Sequence, residues 1–346
     1  MSSTRIVDLR SDTVTRPTAA MRRAMAEAEV GDDVYGEDPT VRRLEERTAE
    51  LLGQPAGLFV ASGTQGNQIA VGVHCRQGDE LIAEAGSHCL HYEGGAVSAL
   101  WGVQPTGLPG EAGLLTADQV AQAVRAPGDH APRSRLLWLE NTHNRGGGTV
   151  WPLDRFRAVV AQGRAAGLSV HLDGARLFNA QAATGTPVGD YGREVDTVTV
   201  CFSKGLGAPV GSVLCGNLER IAAARRLRKR LGGGMRQAGI LAAGALHALD
   251  HHVARLADDH ANARRLAEGL LALPGVRVDL ARVQSNLIFA DLPLPASEVL
   301  PKLRDAGVLL NAEGTGPNRV RLVTHLDVTR EDVELALRRF QDVLGG

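Results

Sequence analysis

From Gly57 onward, short apolar runs alternate with longer stretches of helical pattern. The runs are Leu58–Ala61, Glu80–Ala83, Leu136–Leu139, Ser169–Leu172, Thr197–Phe202 and Gly211–Cys215. Strand-length runs separated by helices predict a wound, largely parallel sheet. Upstream, residues 1–18 read as a polar arm, and Ala19–Glu29 has helical composition. Gly31–Pro39 is a turn-rich loop whose acids Asp32, Asp33, Glu37 and Asp38 are expected to be solvated. Thr40 is placed to cap a helix through Leu52, on the spacing of Val41, Leu44, Thr48, Leu51 and Leu52. Downstream, Arg220–Arg230 is a basic helix ending at Gly232-Gly233-Gly234, and a long helical region runs from about Gln237 to Leu273. The remainder alternates strands (Val276–Asp279, Leu287–Ala290), a helix (Ser297–Ala306), strands (Val308–Asn311, Arg319–Val323) and a last helix from Thr329. That order suits a small α/β domain packed on the large one.

In wound sheets, ligands bind beyond the carboxyl ends of the strands. The segments there are Ser62–Asn67, Gly86–His88, Glu140–Asn144, Asp173–Arg176 and Ser203-Lys204. All of them are polar clusters, which together mark a site. Of 38 Lys+Arg, the lysines are Lys204, Lys229 and Lys302 alone. In a chain so biased to arginine, a lysine at a strand end points to amine chemistry, because only lysine readily becomes a neutral nucleophile. Ser62–Asn67 follows a strand and opens a helix, so its N–H groups, the glycines and the Thr64 hydroxyl can cup a phosphate. It is neither a Walker loop nor GxGxxG. Asp173 can hold a ring nitrogen protonated, or simply pair with Arg176. His88 can stack on an aromatic ring or shuttle protons, or be a structural histidine. A phosphate cup, an acid, a stacking ring and a lysine are the contacts pyridoxal phosphate needs.

Composition narrows the alternatives. The net charge of −1, with no long run of one sign, gives no support for a nucleic-acid or anionic-membrane partner. The four cysteines lack CxxC spacing, so buried thiols are expected rather than disulfides or zinc. His247 and His251 stand at i,i+4, but their Arg- and Asp-rich surroundings read as a solvated helix face, and no metal site is expected. No apolar leader or membrane-length run is present, which points to a soluble, cytoplasmic protein.

The sequence resembles the low-specificity L-threonine aldolases of the beta-eliminating lyase family. The matching stretches are Val7–Thr15, Gly31–Pro39, Ala61–Asn67, Ser87–Gly94, Glu140–Asn144, His171–Asn179, Phe202–Gly207, Gly232–Gln237 and Arg321–Val328, spread over nearly the whole chain. The resemblance implies a pyridoxal-phosphate-dependent, aspartate-aminotransferase-like fold of type I. It further implies a mostly parallel seven-stranded sheet in a large domain (19–246), a small C-terminal α/β domain (247–346) and the arm (1–18). The implied reaction is retro-aldol cleavage of L-threonine, L-allo-threonine and related β-hydroxy-α-amino acids to glycine and an aldehyde. Serine hydroxymethyl transfer and β-elimination are the alternatives on the same scaffold.

By the same resemblance, Lys204 holds the cofactor as an internal aldimine, Asp173 pairs with its ring nitrogen, His88 stacks on it, and Gly63 and Thr64 bind its phosphate. Arg176 lies near the cofactor and the substrate; Ser11 and Arg321 hold the substrate carboxylate, and Tyr92 joins the substrate-binding set. His88 and His143 are both candidate bases. A homotetramer with sites at a dimer interface is implied, with Tyr35, Lys229 and Arg236 helping complete a site, in part across subunits. Alternation along 318–323 puts Arg319 and Arg321 on one face, so spacing does not choose between them; the resemblance selects Arg321.

Overall fold

The structure, a computed structural model, describes residues 5–313 and 316–345. The first four residues of the expected arm, residues 314–315 and Gly346 lie outside it. Seven strands form the central sheet in the spatial order 56–60, 212–216, 197–201, 169–174, 133–140, 79–84, 104–108. Ser212–Gly216 alone runs against its neighbours, so the other strands point the same way. Val60, Glu84, Glu140, Gly174 and Cys201 therefore finish on one edge, and every polar cluster read from the sequence falls there.

Helices sheath the sheet because the strands are buried on both faces, as their unbroken apolar runs require. The main core gathers residues from Met21 to Leu256, and a second core gathers Val7, Leu9 and residues from Ala263 to Phe340. Among the described residues, no helix is long and apolar enough to cross a membrane.

Several expectations need correction. Gln104–Leu108 is a strand that the apolar pattern missed; Pro105 and Gly107 suit only a sheet edge, where it pairs with 79–84 alone. Val276–Asp279 is not a strand. Arg277 makes one bridge to Asp291, and Asp279 instead caps the short turn Leu280–Arg282. Val308–Asn311 is divided: Val308–Leu309 pairs with Val7–Asp8, whereas Asn311–Ala312 pairs with the strand Arg319–Val323. The N-terminal segment thus pairs as a strand with Val308–Leu309 rather than staying outside the core, and buries Val7 and Leu9. The long helical region is two helices, Gly239–His251 and Leu256–Leu271. The break coincides with His252, which is buried and bonds the Leu206 carbonyl at 2.7 Å instead of facing solvent. Asp38, not Thr40, caps the helix Pro39–Leu52. Asp33 and Asp38 are buried rather than solvated, and Asp33 pairs with buried Arg228 at 2.7 Å. All four cysteines are free and buried, as expected.

One aromatic cluster braces the segment from Glu140 to Trp151. Trp151 packs edge-on against Phe156, which packs edge-on against Tyr191, with centroids 5.9 and 5.2 Å apart. Tyr191 donates to the Trp151 carbonyl at 2.6 Å, and Trp151 Nε1 donates to the Glu140 carbonyl at 3.0 Å. Phe156→Ala removes the middle ring and should cost about 3–5 kcal/mol of unfolding free energy. The neighbouring exposed pair Arg157–Glu194 should matter by ~1 kcal/mol or less in Arg157→Ala. Urea unfolding of both variants checks this; equal losses would contradict it.

Candidate active site

The site is built from the strand ends inward. The strand Ser169–Gly174 delivers Asp173, a carboxylate only 2% exposed. Its Oδ2 accepts from Asn67 Nδ2 at 2.8 Å and its Oδ1 from the Ala175 N–H at 3.0 Å. Neither donor is charged, and no Lys or Arg reaches Asp173 within salt-bridge distance among the described residues. The alternative reading, a structural Asp173–Arg176 pair, is not what the chain makes: Arg176 turns to Asp12. A buried carboxylate with neutral partners is costly unless a cation meets it, so Asp173 suits a protonated ring nitrogen.

Asn67 is the hinge of the surrounding network. The same Nδ2 donates to Glu93 Oε1 at 2.8 Å, and its Oδ1 faces His171 Nε2 at 3.3 Å. Glu93 also takes Gln68 Nε2 and His88 Nδ1. His88, Glu93 and Asp173 lie close enough together to suggest a metal, but Glu93 already accepts from these three donors, so the cluster reads as a hydrogen-bonded support. Behind it, burial pushes His171 down to about 3 and His74 down to about 4, so both rings are neutral props.

The strand Ala56–Val60 leads into the helix Gly63–His74, whose cap Ser62 accepts the Gln65 N–H at 3.2 Å. That leaves the Gly63 and Thr64 N–H groups without intrahelical partners, as at any helix start. A Cβ on Gly63 would lie 2.6 Å from Cys201 Sγ, so only glycine lets these two strand ends come this close. Lys204 stands three residues past the strand Thr197–Cys201, in a turn closed by Gly207 N–H to the Lys204 carbonyl at 2.8 Å, with Gly207 at φ 78°. Its ammonium is near enough to help hold Asp12 ionised and to oppose protonation of His88.

Facing this half is a pair of buried guanidinia. Arg176 makes a bidentate pair with Asp12, at 2.7 Å for each bond. Burial pushes the Asp12 carboxyl up, but Arg176, Lys204 and the Asn286 amide outweigh it and hold the carboxyl well below the usual range. Asn144 Oδ1 accepts from Arg176 at 3.4 Å and from Arg321 at 3.1 Å, bridging the two. Arg321 also donates to the Arg10 carbonyl at 3.2 Å, yet its buried Nε has no partner among the described residues. Arg319 is different in depth: half-exposed and bidentate with Asp291. Ser11 Oγ sits beside Asp12 and accepts from Thr13.

The two histidines are now distinguishable. His88 gives Nδ1 to Glu93 at 2.8 Å and has no partner on Nε2 among the described residues. Burial lowers its proton affinity, but Glu93 and Asp173 more than restore it and leave it raised. His143 is 1% exposed; its Nδ1 accepts the Gly146 N–H at 3.0 Å, which leaves the ring proton on Nε2, 3.0 Å from Glu84 Oε2. Burial opposes its protonation, and Glu140 and Glu84 overcome that and raise its pKa. Glu140 also accepts from the His88 and Asn144 N–H groups, each at 2.8 Å, tying two site loops together.

Among the described residues, no side-chain hydrogen bond or ion pair joins Tyr35, Lys229 or Arg236 to this cleft. Tyr35 and Lys229 are exposed, Lys229 beside Gly234, and Arg236 pairs with Asp32. Tyr92 lies at the cleft's mouth, half exposed. Sequence reading missed Asp12, Asn67, Glu84, Glu93 and Asn144 as individual actors. Asp12, Asn67, Glu93 and Asn144 lie inside the stretches that carry the resemblance, but only the fold shows what they touch.

The chain is similar to known proteins of one family. The sequence profile described as beta-eliminating lyase matches residues 8–293. The low-specificity L-threonine aldolase 1 of Arabidopsis thaliana is 45% identical over 348 residues, covering 98% of this chain and 97% of that one. The low-specificity L-threonine aldolase of Escherichia coli K12 is 44% identical over 330 residues, covering 95% and 96%. The solved threonine aldolase of Leishmania major shares the fold at a TM-score of 0.83 and 23% identity, covering 97% and 99%.

Glu84→Gln should lower the His143 pKa, measured by NMR titration of labelled histidine. A raised histidine pKa stabilises the fold fully below the ordinary histidine range and loses that contribution as pH rises through the folded value. Glu84 itself stays ionised there: burial pushes it up, but His143 and the Gly86 and Gly110 N–H groups hold it below its ordinary value. The melting-temperature gap between wild type and Glu84→Gln should therefore narrow as pH rises past neutrality. A gap independent of pH would rule out the charge interaction.

Proposed function

The chain belongs to the beta-eliminating lyase family, with low-specificity L-threonine aldolase activity, and we propose that the cleft at the sheet's carboxyl edge carries that reaction. The substrates are L-threonine, L-allo-threonine and related β-hydroxy-α-amino acids; the products are glycine and an aldehyde. The observation that carries the site assignment is Asp173, a buried carboxylate supported by neutral donors alone.

The residues present fit the family's cofactor, pyridoxal phosphate. Lys204 would attach it covalently through Nζ, Gly63 and Thr64 would take its phosphate, and Asp173 would keep its ring nitrogen protonated. His88 would lie against the ring. When bound, the cofactor supplies the sink for the electron pair left at the substrate's Cα.

The chain's own groups do the rest. Arg321 offers its unpartnered Nε edge to the substrate carboxylate, with Ser11 and Arg176 alongside. Binding that carboxylate fixes the rotation about the bond from nitrogen to Cα, and so selects Cα–Cβ as the bond that breaks. His88 Nε2 accepts the β-hydroxyl proton, directly or through one water. The hydroxyl oxygen becomes the aldehyde carbonyl, and Cα takes a proton to give glycine. Glu93 sets the tautomer of His88 by accepting from Nδ1. His143 has Nδ1 occupied and Nε2 turned to Glu84, so it orients and balances charge rather than taking the hydroxyl proton.

For the chain's organisation we take 19–246 as the cofactor domain and 247–346 as the small domain, with 1–18 as the arm that joins Asp12 to the site. The exposed set Tyr35, Lys229 and Arg236 is read as completing the site of a neighbouring subunit in a homotetramer.

Lys204→Ala should abolish cleavage and the visible absorbance of lysine-bound cofactor, and borohydride reduction of wild type should label Lys204; labelling elsewhere would overturn the assignment. Asp173→Asn should cut kcat by about two orders of magnitude or more. Arg321→Lys keeps the charge and loses the fork, raising KM and lowering kcat together. Arg319→Lys, at the surface pair with Asp291, should stay within about two-fold of wild type. Steady-state acetaldehyde release measures each variant, and similar behaviour of the two arginine variants would move the clamp elsewhere.

A further inference from the structure

Three segments meet at the mouth of the cleft around one acid that the reaction does not require. Glu313, in the small domain just after Asn311–Ala312, accepts from the Tyr92 hydroxyl at 3.0 Å. Arg145 donates to that same hydroxyl at 3.3 Å and lies 3.9 Å from the Glu313 carboxylate. The other Glu313 oxygen, Oε2, lies 3.7 Å from Arg321 NH1. Glu313 and Arg321 are mostly buried, with side-chain exposures of 15% and 11%, so solvent screens their attraction only in part.

We propose that Glu313 is an affinity-setting residue: its carboxylate competes with the substrate's carboxylate for Arg321, and Arg145 with Tyr92 holds it part-way off the guanidinium. The proposal rests on Arg321 being the carboxylate clamp. The charge count supports it. Arg176 is matched by Asp12, whereas among the described residues Arg321 has no carboxylate at hydrogen-bond distance and pairs at 3.7 Å with Glu313 alone. Burial and the neighbouring Arg176 disfavour the charge on Arg321, while Glu313 and Asp12 favour it. A substrate carboxylate arriving on Nε must share that cation with Glu313, and two anions on one guanidinium repel each other. The contact between Glu313 and Arg321 is long because Tyr92 and Arg145 pull from the other side. Arg145 therefore helps the substrate indirectly, by drawing Glu313 away.

This arrangement makes opposite predictions for two residues of the same cluster. Glu313→Gln should lower the KM for L-threonine and tighten glycine binding, read from its effect on cofactor absorbance, by roughly three- to ten-fold, with kcat within about two-fold. Arg145→Gln should raise both constants by a similar factor. In the Glu313→Gln background, Arg145→Gln should have little further effect, because its action runs through Glu313. Unchanged or weakened glycine binding in Glu313→Gln overturns the proposal. So does a full Arg145 effect in that background, which would mean Arg145 attracts the substrate directly. A fall in melting temperature with unchanged binding would show a structural role only and overturn it too. Arg321→Lys is the separate arm. If it leaves glycine binding intact, the clamp itself is misplaced; if it weakens glycine while Glu313→Gln does nothing, the clamp stands and the competition does not.

Discussion

Two guanidinium groups buried side by side, bridged by one amide oxygen, set the terms for the rest of the cleft. Arg176 and Arg321 both donate to Asn144 Oδ1, and each disfavours the other's charge. Such a pair survives burial only with anions nearby. Asp12 supplies one with a bidentate grip on Arg176, and the Asn286 amide steadies it. Because Asp12 comes from the N-terminal segment, Arg176 from the turn after the strand Ser169–Gly174 and Arg321 from the strand Arg319–Val323, the charge pairing also joins three parts of the chain. The buried Nε of Arg321 is left over, which is what a site for an amino-acid carboxylate requires.

The other half of the cleft solves the converse problem, a buried anion without a cation. Asp173 is held by an amide and a backbone N–H, and the chain continues through Asn67 to Glu93 and His88. Neutral His171 and His74 stand behind it, sharing the Thr197 hydroxyl at 2.8 Å each. A network in which the acids take neutral donors keeps its negative charge for a bound cationic ring. The two halves thus carry opposite unsatisfied charge, which in the proposed function would meet the carboxylate of the substrate and the basic nitrogen of the cofactor.

Much of this was legible in the sequence, for identifiable reasons. Strands buried on both faces announce themselves as apolar runs, so the central strands and the polar turns after them could be placed. Lys204 stood out because lysine is rare in this chain. Asp173 was visible as an acid at a strand end, but its partner was not; an Arg three residues on suggested a local pair that the fold replaces with Asp12. The edge strand Gln104–Leu108 was hidden because its residues are polar and its pairing is long-range. The segment read as an arm outside the core because Val7 and Leu9 find their partners about 300 residues away, at Val308 and Leu309. Alternation could not separate Arg319 from Arg321, since the difference is depth, which depends on what packs over the strand. Tyr92 lies in a stretch that carries the resemblance, but Glu313 and Arg145 carry no motif and lie far from it in the chain; only their convergence gives them meaning.

The claim at the centre is that Arg321 provides the spare positive charge that reads the substrate's carboxylate. A crystal structure of the cofactor-loaded enzyme with glycine bound tests it directly. The account predicts the glycine carboxylate at hydrogen-bond distance, ~3 Å, from Arg321, with the Arg176–Asp12 pair unbroken. A glycine carboxylate held by other groups, with Arg321 making no contact to it, would contradict the account.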